Sequence, residues 1–316
     1  MVDCARRHPE NRAMMATRFS IIITFHNQRE FIKDAVNSAL CLRNADSEIV
    51  VVDDASTDGS RHILSEYGDA IHFVPLATNH GKGGARNCGA SMATGDYLIF
   101  LDGDDAFLPW ALEVYERVVQ AKKPKLILCP MLWFKGTLPP VLPGDAPHVI
   151  KLVEYGDYMQ KDRPFGVSAS SLVIDRHSFQ SVQGWAEERF VMQDQDLVIR
   201  LGNSGRTVQV LSPATTFHRA HAGQTISHVP PFIDVLYKFI RKEKLGQYPG
   251  GQRRRFERSA LFGGLVFFWA KRAFKARLYW DAVKLLARAW PMVVAAVIRR
   301  LGVIIKGRRP CETIEM

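Results

Sequence analysis

Residues 95–105, GDYLIFLDGDD, set a short apolar run directly before a group of carboxylates. Tyr97 to Leu101 is nearly continuous in apolar character, the pattern of a strand buried on both faces. Asp102, Asp104 and Asp105 then arrive within four residues, with Gly103 between the first two. Alternate residues leave a strand end on one side, so Asp102 and Asp104 can share a centre. Two hard oxygen donors close together suit a divalent cation that carries phosphate oxygens. The same tetrad also fits a plain acidic turn capping a helix that starts near Pro109, and in isolation it leaves both readings open.

Upstream, Phe19 to Phe25 (FSIIITF) reads as a buried strand, Arg29 to Leu42 carries apolar residues at helical spacing, and Glu48 to Val52 is a second buried strand. Strand, helix and strand within about 35 residues form a βαβ unit, which requires a parallel sheet and a right-handed crossover. Asp53 and Asp54 follow the second strand, at the sheet edge where open α/β folds bind ligands. The run from Asp54 to Gly59 opens like a calcium loop, but its twelfth position is Ser65 rather than Glu and a strand precedes it, which excludes that reading. After a third strand, Ile71 to Pro75, the stretch Asn79 to Asn87 (NHGKGGARN) predicts a glycine-rich loop opening a helix over 85–93. Lys82 and Arg86 there supply positive charge for a phosphate. The loop matches neither GxGxxG nor GxxxxGK[ST], so neither a dinucleotide fold nor a P-loop is indicated.

Taken together, SIIITFHNQREFIKDAV, EIVVVDDASTDGS and NHGKGGARNCGASMATGDYLIFLDGDD closely resemble the inverting glycosyltransferase family 2, over about residues 19–230. The resemblance implies the α/β GT-A fold, a Rossmann-like, mostly parallel sheet flanked by helices. It further implies Thr24, His26 and Asp54 around the nucleoside, Arg86 near the base and diphosphate, and Asp102 with Asp104 as a DxD metal motif. His26 stands where an aromatic such as Tyr is more usual; imidazole can still stack or donate a hydrogen bond. FGVSASSLVI (165–174) with Phe179, Gly184 and Trp185 resembles the family's second-half block. In Gln193-Asp194-Gln195-Asp196, Asp194 falls on the expected catalytic base, with Gln193 in place of the usual Glu and Asp196 as the competing acid. His221 matches the histidine that completes the metal site, with His218 as the fallback. The implied cofactors are Mn²⁺ or Mg²⁺ and a nucleotide-sugar donor, UDP-sugar foremost. The implied reaction is a single displacement onto a glycan or lipid-linked acceptor. A GT-A-like partner subunit without turnover and a sugar nucleotidyltransferase are the alternatives.

The 316 residues are 47% hydrophobic and 23% charged, ordinary for a globular chain. Five cysteines with no CxxC pair indicate neither a disulfide scaffold nor structural zinc and fit a reduced, cytoplasmic setting. Basicity is concentrated at one end: residues 235–316 hold 19 Lys plus Arg against 5 Asp plus Glu, and the preceding chain holds 23 against 27. That asymmetry points away from nucleic acid and toward an anionic membrane surface, met through 253–306 on the inner face of the cell membrane. The competing expectation is that these helices pack on the GT-A body or form a homodimer. The expected organisation is a flexible leader over 1–17, a nucleotide-sugar-binding half over 18–125, and an acceptor-binding, catalytic half of the same domain over 126–230. A basic amphipathic helical region follows over 231–316, including one basic helix over 271–290 that ends before a break at Pro291.

Overall fold

The computed structural model describes residues 17–136, 147–220 and 229–316. The expected leader, apart from Thr17, lies outside them. Four parallel strands, β1 (Phe19–Phe25), β2 (Ser47–Asp53), β3 (His72–Pro75) and β4 (Tyr97–Asp102), run in the order β4-β1-β2-β3. Register sets Thr24 beside both Val52 and Asp102, and Phe25 beside Asp53, so the polar strand ends form one edge. Alternation divides these strands between two cores. Ile21, Ile23, Ile99 and Leu101 pack with α1 (Ile32–Leu42) and α4 (Ala111–Lys122). Ile22, Leu98 and Phe100 face α6 (Gln193–Arg200), α7 (Pro230–Lys244) and α8 (Arg255–Lys275).

Beyond β4 the sheet becomes mixed. β9 (Leu172–Asp175) runs antiparallel between β4 and β6 (Leu126–Leu128), β10 (Thr207–Ser212) lies parallel to β6, and β8 (Val149–Tyr155) is antiparallel to β10. The strand expected over 125–131 is therefore two. It stops at Cys129-Pro130, where proline has no ladder N–H, and resumes as β7 (Met131–Lys135). With β5 (Ala106–Phe107) and β11 (Thr216–Ala220), β7 forms a separate three-stranded sheet. The last three residues of the block 165–174, Leu172 to Ile174, enter the sheet as part of β9.

The tail folds onto the body, as the packing expectation had it. Phe232 of α7 stacks on Trp269 of α8 at 3.8 Å between centroids, and both belong to the core that holds Phe100. Arg258 and Glu243, each 2% exposed, pair at 2.7 Å between these helices. The single helix expected over 271–290 is broken earlier. α8 continues to Lys275, Arg277 takes φ 62°, and α9 (Tyr279–Arg288) starts afresh. Pro291 sits in the first turn of α10 (Trp290–Lys306), where its missing N–H costs nothing. The unforeseen piece is β12 (Glu312–Glu315), which pairs antiparallel with β8 and closes the nine-stranded sheet. Among the described residues no helix is long and apolar enough to cross a membrane.

Candidate active site

The polar ends of β1, β2 and β4, the start of α3 (Gly81–Met92) and the start of α6 surround one centre. Asp102, Asp104 and Asp105 each offer a ligand atom within 4.8 Å of the others. They are not equivalent. Asp105 is fully buried and its carboxylate is already occupied: it accepts from Ser170 Oγ at 2.6 Å and from the Arg219 N–H at 3.1 Å, and His218 Nδ1 lies 3.0 Å away. Burial would lower the His218 pKa, but the carboxylates of Asp105, Asp102 and Asp104 outweigh it and raise it. Asp102 and Asp104 are the other two acids of the group. Gly103 between them lets the turn lie against β1, because a Cβ there would meet Phe25 Cβ at 2.6 Å and Gln28 Oε1 at 2.5 Å.

Arg86 connects this acidic turn to the other half of the site. Its side chain is 3% exposed, reaches Asp102 Oδ1 at 2.5 Å and Asp194 Oδ1 at 3.7 Å, and lies 4.5 Å from the centroid of the Trp185 ring. Lys82 stands 3.8 Å from Asp102. Burial pushes the Asp102 pKa up, but Arg86 and Lys82 override it and hold the carboxylate below the usual range. Arg86 is held here by a helix that begins earlier than expected, at Gly81 rather than Ala85. Asp54 explains the early start, since its two oxygens accept from the N–H groups of His80 (2.6 Å) and Gly81 (2.9 Å), capping α3. Gly83 explains the close fit: a Cβ there would stand 2.5 Å from Gln193 Nε2 and 2.7 Å from the Ala186 carbonyl.

Asp194 opens α6 with its side chain 26% exposed. Burial, with the nearby charge of Asp102, raises its pKa against the pull of Arg86. Asp196 turns away and is 1% exposed; it is held by Arg200 (2.7 Å), Tyr248 OH (3.1 Å) and Lys242 (3.6 Å). That sequesters the competing acid in the packing beneath the tail. Gln193 donates to the carbonyls of Ala186 (3.0 Å) and Glu188 (3.1 Å), securing the chain that leads into α6.

Of the other expected residues, Thr24 is buried at the end of β1. His26 is exposed just beyond it, its Nδ1 2.7 Å from the Asp54 carbonyl. The Asp54 carboxylate is turned to the α3 backbone. His221 lies outside the described residues. Two contributors carried no role in the sequence reading. Ser170 binds the Asp105 carboxylate and accepts from the Asp102 N–H at 3.1 Å. Arg219, 3% exposed, is sandwiched between Phe31 (4.7 Å) and Phe134 (4.6 Å). It donates to the Asp104 carbonyl at 3.0 Å, to Asp34 at 2.8 Å and to the Gly136 carbonyl. A hydroxyl in the small-residue block and an arginine beside His218 were the available signals, but their partners lie 46 to 188 residues away.

Residues 20–138 match the family model described as glycosyl transferase family 2. An uncharacterized glycosyltransferase of Nostoc is 38% identical over 106 residues, 33% of each chain. The putative teichuronic acid biosynthesis glycosyltransferase TuaG of Bacillus subtilis is 41% identical over 97 residues, 30% of this chain and 38% of that one. The chain thus spans about a third of the length of these relatives. A longer match, 25% identical, covers 65% of this chain and 78% of WfaP of Escherichia coli, named UDP-Glc:alpha-D-GlcNAc-diphosphoundecaprenol beta-1,3-glucosyltransferase. Among solved structures, S. aureus TarS 1-349 in complex with UDP-GlcNAc superposes with a TM-score of 0.68 at 18% identity, covering 88% of this chain and 81% of that one. Residues 20–138 of the chain are thus similar to glycosyl transferase family 2, and the fold is the GT-A fold of the TarS structures.

Proposed function

We propose that this chain transfers a sugar, with inversion, from a nucleoside diphosphate sugar to a hydroxyl of a glycan or lipid-linked acceptor in cell-surface polysaccharide synthesis. The observation that carries the reading is one buried guanidinium, Arg86, reaching both Asp102 and Asp194 across the site. Residues 18–125 serve the donor and 126–230 the acceptor. UDP is the favoured nucleotide, since the names of WfaP and of the TarS complex carry UDP-sugars.

The donor set fits a divalent metal. Asp102 and Asp104 are hard carboxylates with nearby ligand atoms, and Asp105 is tied back by Ser170 and Arg219. Asp102 and Asp104 would hold Mn²⁺ or Mg²⁺, with His221 as a further ligand. Such an ion supplies charge neutralisation for the departing diphosphate. Lys82 and Arg86 add positive charge on the same side, and His26 and Thr24 line the nucleoside. Asp194, with its raised pKa, takes the proton of the attacking hydroxyl. Trp133, 59% exposed and 4.3 Å from the His218 ring centroid, offers a stacking face for an acceptor sugar.

The tail is proposed to rest on the anionic inner face of the cell membrane, with the protein cytoplasmic and peripheral. Support comes from exposed Trp280, Trp290, Ile304 and Ile305 lying among basic residues.

Donor turnover with and without Mn²⁺ tests the reading. Released nucleoside diphosphate, dependent on Asp104 and Asp194, is the expected result; pyrophosphate released from a nucleoside triphosphate and a sugar 1-phosphate would identify a nucleotidyltransferase instead. Nucleotide binding with no transfer to any acceptor would favour a partner subunit.

A further inference from the structure

The helical tail contains a cavity of about 360 Å³ where the ends of α7, α8, α9 and α10 meet. Phe256, Pro291 and Ala295 form an apolar wall, and Lys244, Arg255 and Arg288 contribute cations at its border. Glu243 also lines it, but its carboxylate is taken up by Arg258 at 2.7 and 3.1 Å, which leaves the border positive. On α10 the exposed residues Val294, Ile298, Leu301 and Ile305 follow Pro291 at heptad-like spacing. The apolar wall therefore continues out of the cavity as a stripe along the helix.

An apolar slot with a cationic border, opening onto an apolar stripe, fits a molecule with phosphate at one end and hydrocarbon at the other. We propose that this cavity binds a phosphorylated lipid, its phosphate at Lys244, Arg255 and Arg288 and its chain along the α10 stripe. The inference rests on the membrane contact proposed above and gives that contact a specific ligand. Charge selects a lipid over a second copy of the chain: residues 253–309 hold 15 Lys plus Arg and 2 Asp plus Glu, so two such surfaces would oppose like charges.

The test titrates the full chain, by calorimetry, with farnesyl phosphate and dihexanoyl phosphatidic acid below their micelle-forming concentrations. Dihexanoyl phosphatidylcholine and inorganic phosphate serve as comparison probes. At least one phosphorylated amphiphile should bind, at least tenfold more tightly than either comparison probe. Binding should weaken at least tenfold in the Lys244→Glu, Arg255→Glu double variant and in Ala295→Phe, which fills the slot without changing charge. Circular dichroism and UDP binding establish that both variants are folded. Preference for farnesyl phosphate supports a polyprenyl-linked substrate as the source, and preference for phosphatidic acid supports a bilayer lipid. Equal binding of inorganic phosphate, or undiminished binding in both folded variants, overturns the proposal. So does a dimer that either variant dissociates while probe binding persists. Vesicle flotation is read separately: probe binding without partition onto anionic vesicles would refute the membrane contact and leave the cavity standing. Partition unaffected by the variants, with no probe binding, would do the reverse.

Discussion

Asp194 and Asp196 stand two residues apart at the start of α6, about 200° around the helix axis from each other. Helical geometry alone says that they diverge; it does not say which one faces the ligand edge. Packing decides, because Arg200, Tyr248 and Lys242 enclose Asp196 while Asp194 meets Arg86. The two substitutions should therefore behave differently. Asp194→Asn should lower kcat by about 10²- to 10⁴-fold while leaving Mn²⁺-dependent UDP binding intact, as measured by calorimetry; wild-type turnover would remove Asp194 from the reaction. Asp196→Asn should instead lower the urea midpoint, by about 1–3 kcal/mol in unfolding free energy, with a smaller effect on turnover at low temperature. Burial also sets the sign of the pH profile. A base acts when deprotonated and the Asp194 pKa is raised, so kcat/KM should fall with decreasing pH at a point above the ordinary value of 3.8. An acid limb at or below that value would contradict the environment described for it. Arg219 illustrates what a single sequence conceals: its aromatic sandwich joins residues distant along the chain.

At the scale of elements, β1, β2 and β4 were legible because each is apolar on both faces and bounded by polar residues. The glycine-rich start of α3 was not. Gly81, Gly83 and Gly84 lower helix propensity, and the compensating cap comes from Asp54, just beyond the end of β2. Gly83→Ala should wedge α3 away from Gln193 and Ala186, a clash costing about 1–3 kcal/mol that also moves Arg86. Loss of thermal stability together with a raised KM for donor is the expected result, and an unchanged melting temperature would argue against the close approach. In the tail, a Cβ on Gly263 would stand 1.9 Å from the Met292 carbonyl oxygen, so Gly263→Ala should loosen α8 from α10. Faster proteolysis within 290–306, against an unchanged pattern in the body, would report it. β12 escaped notice because Glu-Thr-Ile-Glu is short and mostly polar, as edge strands often are.

For the whole molecule, charge asymmetry was readable from composition, whereas the division of the tail into a packed face and an exposed one was not. Both faces are apolar, and only the partner distinguishes them. If the exposed face meets an anionic bilayer, partition onto phosphatidylglycerol vesicles should weaken severalfold between about 0.05 and 0.5 M salt as screening shortens the reach of the basic residues. Salt-independent flotation would point to burial without charge attraction. A second whole-chain property is its alkaline stability. Burial and the neighbouring Arg299 lower the Lys161 pKa to about 8 from 10.5. The unfolded chain then binds more protons between those values, and this residue's contribution to stability rises as pH increases through that interval. Lys161→Met should remove that part of the slope in urea unfolding measured between pH 7.5 and 10; an unchanged slope would count against the lysine.

After β11, in the three-stranded sheet, the chain builds α7 to α10 and returns at β12 to pair with β8 at one edge of the nine-stranded sheet. Four register pairs, from Glu312 with Leu152 to Glu315 with Val149, fasten that return, and Lys122 pairs with Glu312 beside them. The tail is consequently a handle attached at both ends rather than a hinged arm. It cannot swing away from the body as a unit without unzipping β12, so whatever grips α10 also fixes the bearing of the sheet, and with it the direction in which the edge bearing Asp102 points.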